Sequence, residues 1–131
     1  MSPLDETVAA LCLWREARGA SLQAKAGVFS VILNRASDPH NRWPKMVCDV
    51  VTQPKQFSSF NADDPNVTQW PTPRHAQDWA AWLDCMVVVT TAVGGDSTNG
   101  ATNYYSGDAV PYWAEGKEPS AEIGPFKFFK L

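Results

Sequence analysis

Glu16 is the residue in this chain best placed to move a proton. Apolar residues recur at Leu4, Val8, Leu11 and Cys12, a helical period, and one more step of four lands on Glu16. A carboxylate that continues an apolar stripe sits at the edge of a core, where burial disfavours its charged form. A general acid near neutral pH needs that state, and desolvated carboxylates concentrate at functional sites without being confined to them. The plainer reading is a solvated or paired glutamate at a helix end, since Arg15 and Arg18 flank it. A second candidate group is Gln56, Phe57 and Ser58. They open a turn-rich segment, residues 55–66, directly after a short helix, and binding residues concentrate in such loops. The plainer reading there is a surface loop pinned by one buried Phe.

Other chemistries find little support. The chain has no CxxC and no HExxH, and its only histidines are His40 and His75, so no metal site is expected. Gly-rich phosphate loops are absent, and no cofactor is expected. A Ser-His-Asp or Cys-His set is not excluded by counting, but nothing has the strand-elbow context of GxSxG. Cys12, Cys48 and Cys85 are odd in number and lie in apolar helical patterns, as buried free thiols in a reducing compartment would. A net charge of −3 argues against binding nucleic acid or an anionic membrane by bulk electrostatics.

The elements that must hold these residues are mostly helical. A first helix is expected over residues 3–18, with Asp5 and Glu6 near its positive end and Gly19 as a left-handed C-cap. Ser21 is a plausible N-cap for a second helix over 22–36, whose run AGVFSVIL is apolar almost all round and therefore central. Asn34 and Arg35 either face a cleft or mark the end of that helix. A short helix follows, with Met46, Val47, Val50 and Val51 on one face, ended by Pro54. The longest periodic stretch, residues 74–93, presents Ala76, Trp79, Leu83, Met86, Thr90 and Val93, widened by Trp82 and Val89, and is stopped by Gly94-Gly95. Beyond residue 96 the chain turns polar and aromatic, and the pieces around Gly124-Pro125 suggest a small hairpin or extended tail.

At 131 residues and 44% hydrophobic content the chain fits one domain with a real core. No internal repeat or linker divides it. Six Trp, six Phe and three Tyr are enough to serve a core, a sugar-binding cleft, or both. The first residues lack a basic n-region and a cleavable apolar stretch, and no apolar run is long enough to span a membrane. These features lead us to expect a protein made in the cytoplasm.

Five pieces in order resemble one family. They are WREARG at 14–19, AGVFSVILNR at 26–35, WPKMVCDVVTQPKQFS at 43–58, TNGATNYYS at 98–106 and IGPFKFF at 123–129. Together they span nearly the whole chain and resemble the spore-cortex-lytic cell wall hydrolases, whose catalytic domain is also found in bacteriophage lysins. The resemblance implies an α+β, mainly α, lysozyme-like fold with a small β element beside the cleft; a single catalytic domain over residues 1–131 is expected, without the separate wall-binding domain that accompanies some family members. It implies cleavage of peptidoglycan between N-acetylmuramic acid and N-acetylglucosamine. The family's catalytic glutamate falls on Glu16; Gln56, Phe57, Ser58, Thr102, Tyr104 and Tyr105 would bind the glycan. Asn103 stands where the family often has histidine or another residue, and its role stays open.

A proton must reach a poor leaving-group oxygen for such a bond to break. Ordinary glycosidases add a second carboxylate, and none of Asp63, Asp64, Asp96 and Asp108 is a convincing partner for Glu16. That favours a lytic transglycosylase, with Tyr104 or Tyr105 holding Glu16 and both flanking arginines pointing away. A hydrolytic muramidase and a catalytically silent glycan-binding module are the alternatives. As a phage endolysin the protein would wait in the host cytoplasm as a monomer and reach the wall through a holin.

Overall fold

The computed structural model describes residues 1–131 apart from Lys55 and Gly94, so the part of the expected helix stop that rests on Gly94 lies outside the described residues. Four α-helices form one layer system: α1 Pro3–Ala17, α2 Leu22–Ala36, α3 Val47–Thr52 and α4 Ala76–Thr91. Three short strands follow, β1 Asn103–Ser106, β2 Ala121–Ile123 and β3 Phe126–Phe129, in the antiparallel order β1-β3-β2.

α1 begins with a reciprocal cap. The Ser2 hydroxyl accepts from the Asp5 N–H at 3.1 Å while the Asp5 carboxylate accepts from the Ser2 N–H at 3.2 Å. The other oxygen of Asp5 accepts from the Cys48 N–H at 2.9 Å, fastening the start of α1 to α3. That bond and those from Ser2 hold the Asp5 carboxyl below its usual range. Ala9 to Trp14 and Ala17 of α1 are buried, but Leu4 is exposed, so the apolar stripe begins one turn later than expected. The helix does not end on a left-handed Gly19. Arg18 keeps helical angles (φ −50°, ψ −49°), and the Ala20 N–H closes the turn onto the Ala17 carbonyl at 3.0 Å, so no left-handed residue is required.

α2 matches its expected span and cap, with the Ser21 hydroxyl accepting from the Ala24 N–H at 3.2 Å. Its residues 24–32 are all buried, which makes it the central helix. In α3, Val47, Val50 and Val51 are buried, but Met46 stands outside the helix as its N-cap and is exposed.

α4 turns a different face inward from the one its large residues suggest. Ala81, Cys85, Val88 and Val89 are buried, Trp82 and Met86 pack partly, and Leu83 and Val93 are exposed. Small side chains on the buried face let α4 approach α1 closely, and the Trp14 indole N–H adds a bond to the Asp78 carbonyl at 3.1 Å. The helix stops on Ala92, which takes the left-handed conformation (φ 50°, ψ 39°), ahead of the expected glycine pair. The three cysteines are free; Cys12 and Cys85 are buried and Cys48 is half-buried.

The expected hairpin is the pair β2–β3, turned at Gly124 with φ 56°. β1 adds to the far edge of β3, with Tyr104 opposite Phe128 and Asn103 opposite Phe129. One face of the sheet carries Tyr104, Phe126 and Phe128 toward the helices. Phe128 sits on Gly27 of α2 so closely that a Cβ there would meet the ring at 2.6 Å. Gly27→Ala therefore overpacks this junction and is expected to cost about 1–3 kcal/mol of stability. Urea unfolding measures it, and the loss should shrink in a Phe128→Leu background, where the ring is gone.

Candidate active site

Five segments converge on a cleft of about 450 Å³ lined by Glu16, Arg35, Gln56, Ser58, Asn103, Tyr104, Tyr112 and Trp113. Glu16 enters from the last turn of α1 and Arg35 from the last turn of α2. Gln56 and Ser58 come from the loop after α3, Asn103 and Tyr104 from β1, and Tyr112 and Trp113 from a 3-10 turn, Tyr112–Ala114.

Glu16 is half-buried, and burial is the main reason that its carboxyl sits above the usual value of 4.5. The Tyr104 hydroxyl, 3.5 Å from Oε1, donates a long bond that partly opposes this, and the negative charge of Asp64 pushes further up. Burial, then Glu16, raise the Tyr104 phenol well above its ordinary range, so it stays protonated and remains a donor.

Neither flanking arginine reaches Glu16. The Arg15 guanidinium donates to the carbonyls of Ser59 (3.2 Å), Val67 (2.9 Å) and Gln69 (3.0 Å), and lies over the rings of Phe60 and Trp70. Arg18 lies over Trp14 at 3.6 Å and faces Asp78 at 3.7 Å. Arg35 faces the cleft, the first of the two readings open for the end of α2. Its Nε donates to the Thr102 carbonyl at 2.7 Å and its Nη1 to Gln56 Oε1 at 3.3 Å.

The sequence-derived residues separate into two groups. Glu16, Gln56, Ser58 and Tyr104 line the cleft together. Phe57, Thr102 and Tyr105 do not. Phe57 is only 1% exposed and packs behind Tyr104, with ring centroids 6.4 Å apart, so it is a core residue that braces the site. Thr102 is buried and contributes its carbonyl to Arg35. Tyr105 points to the opposite face of β1, because side chains alternate along a strand, and stacks on Phe129 at 5.8 Å. Tyr112 and Trp113 join the cleft although neither stands out in the sequence. They follow Pro111 in a segment with no period; an aromatic pair in a polar, turn-rich stretch was the available signal. Trp113 packs edge-on to Tyr105 and Phe129, which leaves Tyr112 86% exposed at the cleft.

A family model described as cell wall hydrolase matches residues 19–129. The chain belongs to that family. The match begins just after Glu16, so the case for Glu16 rests on the geometry above. Two solved structures align over nearly the whole chain. One is the catalytic domain of the germination-specific lytic transglycosylase SleB from Bacillus anthracis, at 26% identity and TM-score 0.71, covering 99% of this chain and 97% of that one. The other is the catalytic domain of the Bacillus cereus SleB protein, at 25% identity and TM-score 0.71, covering 99% and 92%. No curated protein matches. The fold shared with these domains is lysozyme-like and mainly helical, with the small sheet described above.

Among the residues lining the cleft Glu16 is the only carboxylate. No group of three or more His, Cys, Asp or Glu among the described residues is arranged to hold a metal ion. The raised pKa of Glu16 has a consequence for stability. A carboxyl that binds its proton more tightly folded than unfolded contributes fully below the unfolded value, and that contribution is lost as pH rises through the folded value. Above that folded value the wild type carries a buried charge that Glu16→Gln removes. The variant is expected to melt above the wild type at pH 7, with the gap closing as pH falls toward 4.5 and below. Thermal unfolding across pH checks this, and a gap that widens in acid contradicts it.

Proposed function

We propose that this protein cleaves peptidoglycan glycan strands between N-acetylmuramic acid and N-acetylglucosamine as a lytic transglycosylase, with Glu16 as its one acid and base. The observation that carries the proposal is a lone carboxyl of raised pKa in an open cleft that offers no second carboxylate. Membership of the cell wall hydrolases and likeness to the SleB domains support the substrate class.

In the first step protonated Glu16 gives its proton to the bridging oxygen. The bond from that oxygen to C1 of the muramic acid breaks, and the N-acetylglucosamine end leaves as an alcohol. In the second step the Glu16 carboxylate takes the proton of the C6 hydroxyl of the same muramic acid. The C6 oxygen bonds to C1 and closes a 1,6-anhydro ring. The proton balance returns to its starting point, and no water is consumed. Burial serves the first step, and the Tyr104 donor eases the carboxylate stage of the second. Gln56, Ser58, Asn103 and the exposed ring of Tyr112 supply hydrogen bonds and a stacking face for the sugars.

The second reading is a hydrolytic muramidase. Asp64 favours it, since its charge is felt at Glu16. However, its carboxylate already accepts from the Asn66 N–H at 2.8 Å, and it does not line the cleft. The setting proposed with the activity is that of a bacteriophage endolysin, reaching the wall through a holin. Expression with and without a pore-forming protein tests this setting: lysis should require the pore.

Mass spectrometry of muropeptides released from purified sacculi decides between the chemistries. Anhydro-muropeptides are expected from the wild type and none from Glu16→Gln. Reducing-end products, heavier by one water, would replace the transglycosylase with a muramidase. Binding without release by either protein would leave a glycan-binding module.

A further inference from the structure

Arg35 is a buried cation with no counter-ion among the described residues. It is 6% exposed, yet it lines the cleft. Its guanidinium rests 5.3 Å from the ring centroids of both Trp43 and Phe57. Nε is bound to the Thr102 carbonyl and Nη1 to Gln56 Oε1, and Nη2 makes no hydrogen bond among the described residues. The ion pairs among the described residues engage Arg18, Lys25 and Arg42, not Arg35. The one carboxyl in the cleft, Glu16, forms no ion pair with it among the described residues. Burying a guanidinium against neutral partners alone costs several kcal/mol even after relaxation. A guanidinium held so firmly and left with a donor to spare is suited to an acyl oxygen of a ligand, best to the paired oxygens of a carboxylate and also to a single carbonyl.

A peptidoglycan glycan strand offers one such group. Its two sugars share the acetamido and hydroxyl pattern. Only muramic acid carries a D-lactyl ether on O3, ending in a carboxylate where the strand is bare and in an amide carbonyl where a peptide is attached. We propose that Arg35 is the residue that recognises this lactyl acyl group and so selects muramic acid over N-acetylglucosamine beside Glu16. The inference rests on the strand-cleaving reading above and adds the residue that sets which sugar occupies the reacting position. The Thr102 and Gln56 contacts fix the plane of the fork, and Trp43 and Phe57 fix its depth. Lysine would keep the charge but lose that plane.

The test is calorimetric binding with Glu16→Gln as the inactive parent. Two probes are compared: the bare tetrasaccharide of alternating N-acetylglucosamine and N-acetylmuramic acid, and the same molecule with its lactyl carboxyls reduced to alcohols. The parent should prefer the carboxylate form by about tenfold or more, as a charge-assisted hydrogen bond provides. Adding Arg35→Gln should abolish the preference while retaining affinity for the reduced probe, and Arg35→Lys should leave a smaller preference. This difference between probes is one that mere loss of packing does not produce. Equal affinity of the parent for both probes overturns the assignment without any second variant, as does a preference that survives Arg35→Gln. If the wild type still releases anhydro-muropeptides in either case, only the role of Arg35 falls. If the parent binds neither probe and the wild type releases nothing, the strand-cleaving reading falls with it.

Discussion

A carboxyl that must keep its proton near neutral pH cannot sit beside a free guanidinium, and this chain places an arginine immediately before Glu16 and another two residues after it. The magnitudes make the conflict decisive. A unit charge ~4 Å away is worth about 4 kcal/mol at an effective dielectric of about 20, enough to erase a burial-driven rise in pKa. The conflict is resolved by giving both guanidinium groups other work. Arg18 lies flat on Trp14, and Arg15 reaches across to three backbone carbonyls of residues 59–69. The same reach of Arg15 fastens to α1 the loop that presents Ser58 to the cleft. Protecting the acid and building one wall of its site are a single arrangement, and the carboxyl remains under the mild opposite influence of Asp64 instead.

The other wall follows from the alternation of β1. Tyr104 faces inward, wedged among Phe57, Phe126 and Phe128, and this packing brings its hydroxyl toward Glu16. The next residue, Tyr105, faces outward and with Phe129 seats Trp113, which in turn displays Tyr112. A shift of one residue in the pairing with β3 would exchange the two faces and dismantle both arrangements. The register is held where Phe128 presses on Gly27, in the middle of the most buried helix. A cleft built largely from loops and a short strand is thus anchored to the buried centre of the molecule at both sides.

What was legible in the sequence divides along the range of the interactions. The spans of α1 and α2, the Ser21 cap and the position of Glu16 at the edge of the core all depend on neighbours three or four residues away. The hairpin at Gly124 is local too. The addition of β1 to β3 pairs residues twenty or more positions apart, and nothing in either segment alone specifies it. The inward face of α4 is not legible from its large apolar residues, because close contact with α1 demands the smaller Ala81, Cys85 and Val88. Phe57 stood beside two polar residues that do line the cleft, and only the packing of Tyr104 against it shows that it belongs to the core. Tyr112 carries no period at all, and its exposure is a product of what Trp113 packs on.

The charges of the cleft form a pattern that bears on the chemistry. Cleavage at C1 develops positive charge on the sugar, and a cation close to that carbon would oppose it. Arg35 is held back from free movement by Thr102, Gln56, Trp43 and Phe57, so its charge stays at a fixed place in the floor. On the proposed assignment the lactyl oxygens of the substrate answer that field, as a carboxylate on a bare strand and as a carbonyl dipole where a peptide is attached, which leaves the reacting carbon to Glu16 alone. A site with a second catalytic carboxylate would let that carboxylate pair with the arginine, at the expense of its basicity. The combination of one carboxyl of raised pKa, one immobile cation and no second carboxylate is therefore coherent with a nucleophile that comes from the sugar itself.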